Sequence, residues 1–255
     1  MGASDFGLIL EYLTATHWRT IDQLALRDLG DREPRCVVCG FSAPRATFML
    51  HVSECQFGGG YLERYACPEC DTVFGPLKML DLTAAQLALE YRVLYSHYAE
   101  TDSTESELRA FRACAPVSDG LYLNWGCGVW AETIGRLRDE GHDVWGYEPI
   151  APSASPFVAS HEDEISATFA AIFSNNVVEH FADPVGEFTR MRRHLAPGGL
   201  MVHASPCYEL VYEDTRFHLA FLLGRSAETL ARRTGFEVVD REQDGEYMHV
   251  VFRAV

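Results

Sequence analysis

Four cysteines stand in two tight pairs, Cys36 and Cys39 in CVVC and Cys67 and Cys70 in CPEC. Each CxxC turn can offer two sulfurs to one side of a tetrahedral ion, and four thiolates leave no open position, so the spacing predicts a structural zinc site. His51 and Cys55 lie between the two turns and are the substitute ligands. Cys114, Cys127 and Cys207 are unpaired by spacing, and each reads as a small buried side chain.

A second constellation begins in LYLNWGCGVW (121–130), an apolar strand followed by Gly126, Cys127 and Gly128. The glycines let backbone approach a ligand closely, and a helix opening after them would present free N–H groups. Glu148 ends the next strand, about 20 residues on, where a carboxylate can accept both hydroxyls of a ribose. SNNVVEHFADP (174–184) follows a buried strand and carries Asn175, Asn176 and His180, and LAPGGLMV (195–202) joins a helix to another strand.

These residues need a scaffold, and the flanking pattern supplies one. From residue 121 apolar strands alternate with amphipathic helices: LYLNW, VWAETIGRLRDEG, DVWGYE, FAAIFSN, PVGEFTRMRRHLA, GLMVHAS and SAETLARRTG, then FEVVDRE and YMHVVFRAV. Such alternation predicts an α/β, Rossmann-like, mostly parallel sheet with helices on both faces. Ahead of it, short β-rich pieces around the cysteines predict a small zinc-ribbon module. The expected organisation is a helical lead-in of one or two short helices (1–30, with Leu8, Tyr12, Leu13, Ile21, Leu24 and Leu29 at helical spacing), the zinc module (31–80), a helical bridge capped by Thr83 (81–118) and the α/β domain (119–255). Between Glu148 and Ile172 there is little room for a full helix and third strand.

Composition narrows the function. A formal net charge of −16 with no run of basic residues disfavours nucleic acid and anionic membranes as partners. No apolar run approaches the length that spans a bilayer and no signal peptide is visible at the start, so a cytoplasmic location is expected, with reduced cysteines. The oligomeric state is not encoded in any pattern we recognise.

Taken together, NWGCG, YEP, SNNVVEHFADP and LAPGGL, in that order over 121–255, resemble the motifs of the class I S-adenosylmethionine (SAM)-dependent methyltransferases. With the CxxC module and the Tyr-rich bridge (Tyr91, Tyr95, Tyr98), the whole chain is similar to the zinc-containing sugar C-methyltransferases. The resemblance implies SAM as cofactor. It places Asn124, Gly126, Cys127 and Gly128 along the methionine and ribose portion, Glu148 on the ribose, and Asn175 or Asn176 at the methionine end. It also implies His180 and His218 as catalytic candidates for deprotonating the acceptor, although those sugar enzymes usually carry an acid where this chain has Phe217. Two departures stand out: Asn124 replaces the usual Asp, and Trp130 replaces the third glycine. No adenine-binding acid is evident, Glu162 and Asp163 being the candidates.

Ligands of open α/β sheets sit beyond the carboxyl ends of the strands, so HASPCYELVYEDTRFHLAF (203–221) should meet a small-molecule acceptor. His203, Tyr208, Glu209, Tyr212 and Arg216 are its expected contacts, Arg216 holding a phosphate or carboxylate or else pairing with Glu213 or Asp214. The expected function is methyl transfer to a small polar acceptor such as a sugar or nucleotide sugar. A non-catalytic scaffold on a worn fold and a ribosomal RNA methyltransferase are the alternatives.

Overall fold

A computed structural model describes residues 3–28, 33–96, 98–151 and 153–255. The lead-in is one helix, α1 (Ala3–Asp28), rather than two short ones. It buries Trp18 while leaving Leu8, Tyr12, Leu13 and Leu24 exposed. Leu29 and the turn after it lie outside the described residues. Lys78 Nζ anchors the helix, donating to Asp22 Oδ1 at 2.6 Å and lying 5.1 Å from the Trp18 ring centroid.

The cysteine module is an antiparallel sheet of β1 (Met49–Glu54), β2 (Tyr61–Ala66) and β3 (Val73–Phe74). Then come α2 (Leu77–Leu80), α3 (Ala84–Tyr95) and α4 (Thr104–Ala113). α3 starts in a capping box: Thr83 Oγ1 accepts from the Gln86 N–H, and the Gln86 side chain accepts from the Thr83 N–H.

The main domain comprises β4 (Leu121–Trp125), α5 (Thr133–Asp139), β5 (Asp143–Tyr147), β6 (Val158–Ala159), β7 (Phe169–Asn175), α6 (Pro184–Arg192) and β8 (Leu195–Ala204). It continues through β9 (Ala220–Phe221), α7 (Ser226–Thr234), β10 (Phe236–Asp244) and β11 (Tyr247–Ala254). Its seven strands run in the order β10-β11-β8-β7-β4-β5-β6, and β11 is antiparallel to both neighbours. The expected mostly parallel α/β sheet is what forms. The near-continuous apolar runs of β4 and β7 fit central strands covered on both faces. Among its described residues, the cramped 149–168 segment forms the two-residue β6 and a 3₁₀ turn at Glu162–Glu164.

β9, from late in the chain, pairs not with the large sheet but with β3, through Val73↔Phe221 and Phe74↔Ala220. The cysteine module is thereby stitched to the α/β domain. Arg225 bonds Asp71 (2.9 Å), the Ser226 hydroxyl donates to the Cys70 carbonyl (3.1 Å), and Arg233 donates to the Val38 carbonyl. One continuous apolar core carries Val38, Phe48, Tyr65 and Phe74 of the module together with Leu230 and Ala231 of α7.

Candidate active site

The glycine loop leaves β4 with Gly126 and Gly128 at φ of +69° and +59°, a conformation that strains any side-chain-bearing residue. A Cβ on Gly126 would also lie 2.8 Å from Val177 Cγ2. The helix expected to open at Val129 begins only at Thr133 and is seven residues long, so the loop itself, not a helix terminus, forms the cradle. Glu148 takes the position expected of it. It is buried and accepts hydrogen bonds from the N–H groups of Gly128 (3.0 Å), Ile150 (2.8 Å) and Ala151 (3.0 Å). These bonds fix the carboxylate at the rim of a cavity lined by Gly126, Cys127, Gly128, Glu148, Asn175, Asn176 and His180. Cys127 is mostly buried against Gly146, with burial pushing its thiol well up, so its role in the loop is packing. Trp130 lines the cavity and packs on Tyr95 at 5.0 Å between centroids, so its bulk stands beside the ligand space rather than under the helix.

Asn124 is fully buried, and its Nδ2 donates to Glu107 Oε2 at 2.6 Å. Ser103 Oγ donates to the other oxygen of Glu107. Burial raises the Glu107 carboxyl, and the donors from Ser103, Thr133 and Asn124 partly restore it. Glu107 lines the cavity, so α4 brings a carboxylate to it next to position 124. Asn124 itself does not line this cavity but a neighbouring one that also touches Glu107, Cys127 and Gly128, and its Oδ1 is buried without a hydrogen-bond partner. Sequence reasoning missed Glu107. The available signal was its place on the amphipathic helix preceding β4, but no local pattern says which helical face meets Asn124. Tyr91, Tyr95 and Glu100 also line the cavity, Tyr95 donating to Glu100 at 2.7 Å, whereas Tyr98 packs on Phe57 away from it.

At the far end, Asn175 closes β7 and Asn176 follows with φ +55°. His180 sits half-buried in the next turn, its Nδ1 3.0 Å from the Phe217 carbonyl oxygen. A carbonyl only accepts, so Nδ1 carries the proton and Nε2 the lone pair. Burial pushes the imidazole down to about 4 against the Phe217 and Asn176 carbonyls, which favour its charged form. His218 lies behind His180, ring centroids 5.0 Å apart, and does not line the cavity. Burial first, then His180 and Arg64, hold it well below its ordinary value.

The residues expected to meet an acceptor are not brought to the cavity lining. His203 is fully buried on the core side of β8, 2.7 Å from Ser174 Oγ and packed on Phe188 and Phe252. Tyr208 packs into the main core, Glu209 is exposed and takes a bond from Gln243, and Tyr212 is exposed and bonds Glu246. Arg216 is buried and pairs with Glu90 on α3 at 3.0 Å, rather than with Glu213 or Asp214, also donating to the Phe57 carbonyl. The physical reason is β9: pairing with β3 pulls the 203–221 excursion toward the cysteine module. Nor does Glu162 face the ligand space, being held by Arg190 (2.9 Å) and His194 (3.1 Å), while Asp163 is exposed. The cavity wall there is instead Trp125, Tyr147, Glu187 and Arg190.

The four cysteine sulfurs converge, all within 4.8 Å of one another, with Cys36–Cys70 at 3.6 Å and Cys39–Cys67 at 3.5 Å. Tetrahedral thiolates at ordinary Zn–S lengths would stand about 3.8 Å apart. His51 and Cys55 are not part of the group. Among the described residues no helix is long and apolar enough to cross a membrane.

Comparison with known proteins agrees with this geometry. A family described as a methyltransferase domain matches residues 97–241, more than half of the chain. No curated protein matches in sequence. Among solved structures, the Burkholderia thailandensis 1,6-didemethyltoxoflavin-N1-methyltransferase is similar in fold, with TM-score 0.54 at 13% identity over 81% of this chain and 99% of that one. A possible histamine N-methyltransferase from Thermotoga maritima is 18% identical over 67% of this chain and 97% of its own, with TM-score 0.46. The glycine loop, the buried acid that follows β5, the strand order and the family match converge, and the chain belongs to the methyltransferase-domain family as a SAM-dependent methyltransferase of the class I fold.

Proposed function

We propose that the enzyme methylates a small polar acceptor, such as a sugar or nucleotide sugar, and that His180 orients and deprotonates it. The observation that carries this reading is the anchored His180 ring. It lines the cavity beside Asn175 and Asn176, with Nδ1–H committed to Phe217 and the basic Nε2 left for a ligand. SAM, when bound, supplies an electrophilic methyl group, and the chain's residues provide its site. Glu148 is fixed to accept ribose hydroxyls, Glu107, held by Asn124, offers a carboxylate for an ammonium group, and Gly126 and Gly128 allow close backbone approach. Tyr91, Tyr95 and Trp130 wall the space with aromatic surface and exclude water from it. The Burkholderia enzyme that shares the fold acts on a small heterocycle, which fits an acceptor of that size. The four cysteines fit zinc as a closed structural site, and its packing on α7 supports a stapling role rather than contact with acceptor.

The test is His180→Gln with a panel of hydroxylated small molecules, following release of S-adenosylhomocysteine. Loss of general-base catalysis lowers kcat by about 10²–10⁴-fold while SAM binding, read by calorimetry, is unchanged. A variant with full kcat would remove His180 from the chemistry.

A further inference from the structure

We propose that Glu179, Cys207 and His218 form a second metal site, built for one dication of the zinc class and separate from the four cysteines. A carboxylate oxygen of Glu179, Cys207 Sγ and a ring nitrogen of His218 all lie within 4.8 Å of one another, and Cys207 Sγ is 3.4 Å from His218 Nδ1. The independent observation is Glu179 itself. It has no solvent exposure, and neither carboxylate oxygen has a hydrogen-bond partner of normal geometry, with its own backbone N–H and the Ser205 hydroxyl the groups that ease its charge. A charged carboxylate in a dry interior is costly and is met either by a proton or by a counter-ion, and the sulfur and imidazole grouped with it supply the other donors an ion would need.

The three donors come from separate segments that the backbone locks together. The Leu219 N–H bonds the Glu179 carbonyl (2.7 Å) and the Leu222 N–H bonds the Cys207 carbonyl (2.9 Å), so the site is held before any ion arrives. Thiolate plus carboxylate would cancel a dication, leaving the neutral imidazole as third donor. Sulfur and imidazole select zinc, cobalt or ferrous iron over magnesium or calcium. Among the groups that face the cluster, Tyr91 and Glu100 lie on the Glu179 side and Glu213 on the Cys207 side. Arg64 is the nearby cation, but its donors are spent on the carbonyls of Glu213, Thr215 and His218 and on Ser53 Oγ. His180 stands on the cavity side, and Tyr208, whose hydroxyl has no partner, and Ser205 complete the wall. Three protein donors leave a tetrahedral ion one further position, and because none of the three lines the cavity, a small ligand such as water is what that position would take.

The full-length chain is equilibrated with Zn²⁺ or Co²⁺, desalted, and its metal counted by mass spectrometry and, for cobalt, visible absorption. The expected result is about two ions per chain, falling to about one in Cys207→Ala and in Glu179→Gln, with the tetrathiolate cobalt bands retained in both. About one ion per chain in the unsubstituted protein, or about two retained in both variants, would overturn the proposal. The unsubstituted count decides even if a variant fails to fold. SAM binding is measured separately, so the methyltransferase reading stands or falls on its own.

Discussion

Restoring the family's usual acid with Asn124→Asp should harm this enzyme. In the structure Asn124 Nδ2 donates to Glu107 Oε2 at 2.6 Å in a fully buried setting. The substitution removes a hydrogen bond to a charged group, about 1.5–3 kcal/mol, and sets two carboxyls against each other. Both cannot ionise at that distance, so one keeps a proton at neutral pH and recovers part of the loss through a shared hydrogen bond. The net destabilisation should be about 2–4 kcal/mol at neutral pH. The sign of its pH dependence is diagnostic. An acid whose folded-state affinity for protons is raised is stabilised below its unfolded value and loses that stability as pH rises. The deficit of the variant should therefore shrink on acidification, by up to about 1.4 kcal/mol per pH unit between neutrality and pH 5. Urea unfolding of both proteins across that range measures it, and calorimetry should show weaker SAM binding. A variant as stable as the parent, binding SAM more tightly with no pH dependence, would refute the proposal that Glu107, held by Asn124, is the site's carboxylate for an ammonium group.

Three other outcomes follow from the same coordinates. His203 is buried, and burial pushes it down to about 3, so the unfolded chain takes up its proton first as pH falls below its ordinary value of 6.5. Its contribution is complete above that value and shrinks by about 2 kcal/mol at pH 5, and His203→Gln should flatten the stability profile by that amount; an unchanged slope would be inconsistent. Gly126→Ala meets both a positive φ and Val177, and should cost about 1–3 kcal/mol and weaken SAM binding, as read by thermal shift with and without ligand. If the four cysteines hold zinc, chelation should undock β9 and α7 along with the module, seen as early amide exchange at 220–234; exchange confined to 36–74 would show the module to be autonomous.

Much of the site was legible because it is local. Turn glycines, an acid at a strand end and paired CxxC turns are dictated by backbone conformation and ligand geometry within a few residues, so Gly126, Gly128, Glu148 and the four cysteines could be named from their spacing. The strand–helix alternation was equally plain, since periodicity reports burial directly. The acceptor side was not legible. Density of polar and aromatic residues in 203–221 marked it as the binding surface, yet Arg216 spends its charge on Glu90, 126 positions away, and His203 faces Phe188 and Phe252.

What the sequence determined by itself is therefore the class of fold, through strand and helix periodicity over 121–255, together with the glycine loop and the paired cysteine turns, each turn dictated within a few residues. Only the tertiary structure decided that β9 would cross to the cysteine module, that Glu107 would meet Asn124, and that Glu179, Cys207 and His218 would meet. Those pairings depend on long-range strand choice and helix facing. Both are settled by the burial of whole surfaces, to which no short stretch of residues holds the key.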